Sequence, residues 1–339
     1  TQGNYAGRLN NGGGTLVLSN AAGTQIDTET YVGVANDGDF DSDGVKEFKS
    51  ILTFQIANPA QVAGISGQEP ALFAIDISDP GSPEVLWEVT PPANDKRGTF
   101  EFGLGLDVAM ANVSVSGSSK NLTLVQTTNG GTGGSGMMVL AYDSVTGAEQ
   151  WRYEHTYRAA IDGGSRTERT GDRKVEVPVD AIPMGVAAYD STGNGLNDFI
   201  VVGTMYGELY LLNAEDGSNK LGQDANLFDI PLFTFSEDLH PIGATPSILR
   251  EQGGSRMFAV FGTGGYTAPG RSLDWAPDEY YAGKKGFVSV NQYVVGIDLD
   301  GTATVTEGTG GAAFTIDLGV GSRVFSQVTV AGDELFFAT

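Results

Sequence analysis

Short segments in which apolar and polar residues alternate recur along the chain, separated by Gly, Asp, Asn and Ser. This alternation is typical of β-strands, whereas the three-to-four-residue period of helices is almost absent. One unit, an apolar segment followed by a tight turn, recurs at residues 72–76, 139–143, 209–213 and 294–298. We interpret each unit as an inner strand, a turn and an outer strand. Where the outer strand carries Trp (Trp87, Trp151), we expect the ring to pack between neighbouring sheets.

Two further strands precede the later units, at 184–189 with 199–204 and at 245–249 with 257–262. Four antiparallel strands per unit are typical of a propeller blade, and a lone sheet cannot bury both of its faces. The pattern therefore predicts an all-β fold: one β-propeller domain over residues 1–339, in which about three full blades and partial ones at each end can be counted. A β-sandwich with long loops is the alternative.

The loop of residues 39–47 has oxygen-bearing groups at the spacing of a calcium-binding loop. The candidate ligands at loop positions 1, 3, 5, 7 and 9 are Asp39, Asp41, Asp43, the Val45 carbonyl and Glu47. Gly44 allows the sharp turn, and four carboxylates this close repel one another unless a cation neutralises them. Position 12 is Ser50 rather than Glu, so we predict a Ca²⁺ loop outside an EF-hand. A merely acidic turn is the alternative.

The loop of residues 190–198 repeats this spacing with fewer charges. Its candidate ligands are Asp190, Thr192, Asn194, the Leu196 carbonyl and Asp198. Two carboxylates in place of four predict weaker Ca²⁺ binding if the loop geometry is equal. A β-turn held by Asx hydrogen bonds is the alternative. We favour calcium because the loop joins two predicted strands.

Charge and composition exclude several classes of function. Acidic residues outnumber basic ones 42 to 19, giving a net charge of −23 that repels phosphate backbones and attracts cations. The chain has no Cys, which removes disulfides and thiolate chemistry, and no apolar run approaches the length of a membrane span. Five basic residues cluster within 156–182, where the glycines predict an exposed insertion loop. That loop would be solvated or would dock a partner.

Catalytic patterns are weak. His155 and His240 are the only histidines, and we expect both to be structural. The sequence contains no G-x-S-x-G elbow, P-loop or H-E-x-x-H motif, and its Gly-rich segments lack a strand–Gly–helix context. These observations predict a protein that is not an enzyme.

The order of motifs resembles the C-terminal propeller domain of PilY-type proteins, the tip adhesins and assembly factors of type IV pili. The segments that carry this resemblance are 31–38 (YVGVANDG), 74–76 with 86–88 (AID, LWE), 190–210, 241–246 (PIGATP), 261–266 (FGTGGY), 292–293 (QY) and 321–326 (GSRVFS). They span most of residues 30–339. The 190–198 loop resembles the calcium loop of that family, which usually carries more carboxylates; the 39–47 loop would be a second site.

The resemblance implies a modified β-propeller, with about seven blades in the intact domain, in a bacterial protein at the pilus tip or cell surface. In such a protein calcium influences pilus extension, retraction and adhesion. Its partners would be pilin or minor pilins and a host or surface ligand, with no nucleic acid. A quinoprotein-type propeller enzyme, suggested by the Asp143–Trp151 turn, and a passive calcium-stabilised scaffold are the alternatives. We expect Thr1–Thr339 to be a processed chain or part of a longer one.

Overall fold

The computed structural model describes residues 14–19, 25–31, 50–56, 71–79, 81–89, 108–129, 136–154, 185–204, 207–225, 227, 229–235, 240, 242, 244–251, 256–264, 291–299, 306–307, 311–320, 322, 324, 326–331 and 334–339. The 39–47 loop, the basic insertion at 156–182 and His155 lie outside these residues.

Most of the described strands form antiparallel sheets in which consecutive strands pair, as in a propeller blade. Blade 1 comprises β3 (Ile51–Ile56), β4 (Ala71–Asp76) and β5 (Glu84–Val89). Blade 2 comprises β6 (Ala109–Val115), β7 (Ser118–Asn129), β8 (Gly136–Asp143) and β9 (Glu149–Glu154). The strands that the sequence predicted at 72–76 and 139–143 are confirmed as β4 and β8.

Blades 3 and 4 follow the same plan. Blade 3 comprises β10 (Val186–Tyr189), β11 (Phe199–Gly203), β12 (Leu209–Asn213) and β13 (Phe233–Thr234). Blade 4 comprises β14 (Ser247–Arg250), β15 (Met257–Gly262), β16 (Asn291–Asp298) and β18 (Phe314–Val320). Between β16 and β18, the short β17 (Thr306–Glu307) leaves blade 4 and pairs in parallel with β13.

Two hairpins lie at the ends of the chain. The N-terminal hairpin pairs β1 (Gly14–Ser19) with β2 (Gln25–Tyr31), and the C-terminal hairpin pairs β19 (Thr329–Ala331) with β20 (Glu334–Phe336). Within the described ranges, no helix has the length and hydropathy needed to cross a bilayer.

The blades stack face to face in chain order. Ile200 and Val202 of β11 join a buried core with blade 2, whereas Val201 between them joins a core with blade 4. Further cores join blade 1 to blade 2 and blade 4 to the C-terminal hairpin. Burial on both faces explains why 199–203 is apolar throughout rather than alternating. It also rules out a two-layer sandwich for the stacked blades, since each sheet of a sandwich buries a single face.

The first strands of successive units lie beside one another in the order β6, β10, β14 and β19. Strands that gather in this way are the innermost strands around a common axis, as in a β-propeller. The described residues therefore form consecutive blades of a propeller, as the sequence predicted.

Tryptophan and glycine join neighbouring blades at two equivalent seams. The Trp87 indole of blade 1 donates to the Ser144 carbonyl of blade 2 at 2.9 Å, and a Cβ at Gly147 would lie 2.7 Å from its ring. Trp151 of blade 2 repeats this contact on blade 3, donating to the Ala214 carbonyl at 3.1 Å, with Gly217 under its ring. The packing of Trp between sheets is thus confirmed.

In blade 3 the outer strand does not follow directly after the turn that ends β12, whereas the sequence predicted a strand, a turn and an outer strand in succession. After Gly217 the chain pairs briefly through Asn219 with Leu212, leaves the sheet, and returns only at Phe233 opposite Leu209. A polar contact with blade 2 holds this excursion in place, because the Tyr153 hydroxyl donates to Asp229 Oδ2 at 2.9 Å. β13 therefore begins much farther along the chain than the hydrophobic pattern indicated.

Candidate functional site

The 190–198 loop connects the first two strands of blade 3, as the sequence predicted. Gly193 and Gly195 have φ of 77° and 85°, in the left-handed region that favours glycine. Among the described residues, a Cβ at either position would meet no atom within 4 Å. Backbone conformation rather than space therefore requires both glycines, as expected for the sixth position of a calcium-type loop.

The Asp190 carboxylate organises this loop through the loop's own amides. Its Oδ1 accepts from the backbone N–H of Thr192 at 3.0 Å, Gly193 at 2.6 Å and Asn194 at 3.3 Å. Oδ2 accepts from the N–H of Gly195 at 2.7 Å. The Thr192 hydroxyl adds a fifth contact at 3.2 Å, so the structure brings the first and third predicted ligands together.

These contacts change the acidity of the Asp190 carboxyl. Burial tends to raise its pKa, but the four amides from Thr192 to Gly195 outweigh that effect because each stabilises the charged form. The net result is a pKa below the ordinary value of 3.8. The loop therefore keeps a carboxylate at its centre under all but acidic conditions.

The remaining predicted ligands occupy separate hydrogen bonds. Asp198 Oδ2 accepts from both the N–H and the hydroxyl of Ser191, at 2.9 and 2.6 Å. Asn194 Oδ1 accepts from the Leu196 N–H at 2.8 Å. In the part of the chain that the structure describes, no three His, Cys, Asp or Glu side chains converge as a metal site. The hydrogen bonds are those of the Asx turn that the sequence left open as the alternative.

The chemical types of the donor groups in this loop suit a hard cation. Carboxylate, hydroxyl, amide and carbonyl oxygens are the ligands that Ca²⁺ prefers, and Asp190, Thr192, Asn194, Leu196 and Asp198 would supply them. Both carboxylates already accept hydrogen bonds, so a cation would have to share or displace them. The donor set is thus compatible with calcium.

Three blades hold the loop in position. Asn197 in the loop and Asn112 on β6 of blade 2 bond reciprocally: Asn112 N–H donates to Asn197 Oδ1 at 2.8 Å, and Asn197 N–H donates to the Asn112 carbonyl at 2.6 Å. The Asn112 side chain also donates to the Gly195 carbonyl at 3.0 Å. From blade 4, Arg250 Nη2 donates to the Asp190 carbonyl at 3.3 Å. The loop is therefore a junction between blades 2, 3 and 4.

Sequence analysis did not identify Asn112, Ser191 or Arg250 as parts of this junction. Ser191 sits at an even loop position, which a scan for alternating ligands skips. Asn112 and Arg250 come from other blades, so their contribution depends on blade stacking. Asn112 lies in the middle of β6, a strand that the sequence analysis did not single out, so nothing in the pattern indicated that it meets this loop.

His240, the one described histidine, lies in an aromatic cluster away from this loop. Its ring is 4.2 Å from that of Phe235 and 5.6 Å from that of Tyr293, centroid to centroid, and its exposed fraction is 9%. The imidazole is therefore buried among aromatic rings, and its structural role stays a prediction.

Comparison with known proteins finds only weak structural similarity. The sequence matches no protein-family model and no curated protein. The C-terminal domain of Pseudomonas aeruginosa PilY1 resembles this chain with a TM-score of 0.46 and 14% identity, over 94% of this chain and 72% of that one. Quinohemoprotein alcohol dehydrogenase from Comamonas testosteroni gives a TM-score of 0.45 and 13% identity, over 96% and 53%. BamB from Moraxella catarrhalis gives 0.33 and 16%, over 86% and 61%. Similarity at this level assigns no function and no ligand.

Proposed function

We propose that this chain is a calcium-binding, non-enzymatic β-propeller of a type IV pilus-tip or cell-surface protein that acts in pilus biogenesis and adhesion. The observation that carries the proposal is the placement of the two oxygen-rich loops. The 190–198 loop directly precedes β11, the second strand of blade 3, and the 39–47 loop precedes β3, which occupies the second position of blade 1. In the sequence, one ligand pattern thus precedes the second strand of two blades.

The assignment of β3 to the second position follows from the tryptophan seam. Trp87 on β5 pairs with Ala74 on β4 as Trp151 on β9 pairs with Ala141 on β8. β4 and β5 are therefore the third and fourth strands of blade 1, which makes β3 the second. Two loops with the same blade position and the same ligand spacing support one shared function, and hard-cation binding suits both donor sets.

The pilus-tip role rests on the order of motifs described above, from 31–38 to 321–326. In this proposal the protein lies outside the bacterial cell, and its partners are pilin or minor pilins and a host or surface ligand. The charge of −23 supports a surface that recruits cations and avoids nucleic acid.

The feature that suggested a quinoprotein enzyme has a structural use here. The Trp87 ring packs on Gly147, which lies within the Asp143–Trp151 segment, and Trp151 itself packs on Gly217. Inter-blade packing accounts for both ends of the motif, so the motif by itself does not indicate a cofactor. Metal and cofactor content of the purified chain separates the two. Bound calcium without quinone absorbance is the expected result, and a quinone spectrum would contradict the proposal.

A functional test removes the charges of the 190–198 loop with Asp190→Ala plus Asp198→Ala. We expect fewer surface pili or attached cells while circular dichroism shows a folded propeller, because the stacked cores lie outside the loop. A matched control, Glu84→Ala plus Glu251→Ala, removes equal charge from exposed positions elsewhere. A folded loop variant with normal pili and normal attachment would reject a role for this loop in pilus function.

A further inference from the structure

The C-terminal hairpin has the features of the inner half of a blade. β19 lies beside β14, as β14 lies beside β10. Leu335 and Phe337 pack against blade 4, and the Ser247 hydroxyl of blade 4 donates to the Val328 carbonyl. These contacts place β19 and β20 in the first and second positions of the unit that follows blade 4. Third and fourth strands are not among its described pairings.

The N-terminal hairpin has the register of an outer half. In blade 2, Ala141 pairs with Trp151 and the next residue with Glu149, so one residue of the outer strand is skipped. Blade 1 skips one residue at the same place, after Ala74 opposite Trp87. β1 and β2 repeat this bulge, because Leu18 pairs with Asp27 and Ser19 with Gln25. The first-to-second-strand pairs of blades 2, 3 and 4 keep an even register.

Both ends of the described stack also present apolar side chains to solvent. Phe336 on β20 is 52% exposed, whereas Val201, at the equivalent place on β11, is 0% exposed because blade 4 covers it. At the other end, Leu52 and Val85 of blade 1 are 49% and 56% exposed and lie outside the core shared with blade 2. Apolar surface at both ends of a stack is expected where further β-structure covers it.

We propose that the N-terminal hairpin supplies the third and fourth strands of the unit that β19 and β20 begin, so that β1 pairs antiparallel with β20. The hairpin directly precedes blade 1 in the chain, as each fourth strand precedes the next blade. The register follows from the other blades: Ala141 pairs with Leu124 and Leu211 with Val201. The corresponding pair is Leu18 opposite Phe336.

This pairing closes the stack into a ring. Direct cores already join blade 1 to 2, 2 to 3, 3 to 4 and 4 to the C-terminal hairpin, so no other blade stands between them. The four blades plus the joined hairpins make a ring of five. The resemblance led us to expect about seven, which would need further blades between the C-terminal hairpin and blade 1.

Engineered disulfides test the pairing, since the chain has no Cys of its own. Directly opposite residues of antiparallel strands lie about 4.5–5.5 Å apart between Cα atoms, within the range that a disulfide spans. We would introduce Leu18→Cys with Phe336→Cys and, in a second variant that keeps Phe336, Leu16→Cys with Ala338→Cys. Ser114→Cys with Ser119→Cys, which pair in blade 2, is the positive control. Leu18→Cys with Asp216→Cys, an exposed position in a turn of blade 3, is the negative control.

Each variant is oxidised at low protein concentration, and its disulfide is mapped by peptide mass after circular dichroism has confirmed folding. We expect an intrachain disulfide in the positive control and in at least one of the two test variants, and none in the negative control. A closed positive control with no disulfide in either test variant would overturn the proposal. A disulfide between two chains would also overturn it, by assigning the missing half-blade to a second copy.

Discussion

At the scale of single residues, the 190–198 loop depends on side chains that do not match the calcium pattern. Asn197 occupies an even position of the loop and carries no predicted ligand, yet it makes the reciprocal bond to Asn112 of blade 2. The contact between the loop and blade 2 therefore depends on the side-chain amide of Asn197, at a position where the calcium motif specifies no residue.

Substituting Asn197 tests this junction. Asn197→Ala leaves the Asn112 N–H without its acceptor, and we expect a loss of about 1 kcal/mol in the free energy of unfolding. Asn197→Asp, which keeps an acceptor oxygen for the Asn112 N–H, is the matched control and should lose less. Urea unfolding of both variants measures the difference. Equal losses would mean that the bond between the two blades contributes nothing of its own.

The Asp190 carboxylate predicts a pH dependence with a defined sign. Its pKa in the folded protein lies below the ordinary 3.8, because the amide hydrogen bonds outweigh the opposing effect of burial. Its stabilising contribution is therefore full well above pH 3.8 and is lost as the pH falls through the folded value. The stability difference between the natural chain and Asp190→Asn should be constant near neutrality and shrink in acid. Urea unfolding at a series of pH values measures it, and a difference that grows in acid would contradict the assignment.

The spacing of residues predicted which side chains belong to the loop but not what they bind. Gly195 at the sixth position has the positive φ that the pattern required, and Thr192 does meet Asp190. Ser191 and Asn197 were missed because their partners are set by loop conformation and by a neighbouring blade. Calcium binding at either loop stays a prediction.

At the scale of elements, the seams between blades depend on glycine for two separable reasons. Gly217 and Gly222 have the same φ of 72°, but only Gly217 lies under a Trp ring. Among the described atoms, a Cβ at Gly222 would meet nothing within 4 Å, whereas one at Gly217 would collide with Trp151. Substituting each of these two glycines therefore separates the energetic cost of backbone strain from the cost of disturbing the packing between blades.

We expect Gly222→Ala to cost about 1–2 kcal/mol from backbone strain alone. Gly217→Ala should cost a further ~1–3 kcal/mol, because the Trp151 ring must move. Thermal unfolding followed by tryptophan fluorescence measures both effects. Similar losses in the two variants, with unchanged Trp emission, would show that the seam adapts without cost.

Hydrophobic patterning predicted strands well where the outer strand follows its turn directly, as with β5 and β9. It failed to place β13, because the excursion before it is held by the contact of Asp229 with Tyr153 on blade 2. A contact between blades leaves no periodic signal in the sequence. Two second strands end in the same Gly-Thr pair, Gly203-Thr204 in blade 3 and Gly262-Thr263 in blade 4. The first pair packs on Ile242 and the second on Val324. The spacing of this repeat in the sequence could have shown it.

At the scale of the whole molecule, the all-β class and the stacking of four-stranded blades could be predicted because no single sheet buries both of its faces. How the stack closes could not be predicted, because closure depends on how the terminal hairpins pair. The proposed function depends on the two loop sequences that precede the second strands of blades 1 and 3, and hence on whether those loops bind calcium.

Isothermal titration of the chelator-treated chain with calcium tests that claim most directly. We expect two binding events, the tighter at the 39–47 loop with its four carboxylates and the weaker at the 190–198 loop. Asp43→Ala should weaken the tighter event more than Thr192→Ala weakens the other, since Asp43 supplies both a ligand and a charge. A chain that is folded and verified free of metal, yet shows no calcium binding in this titration, would contradict the account.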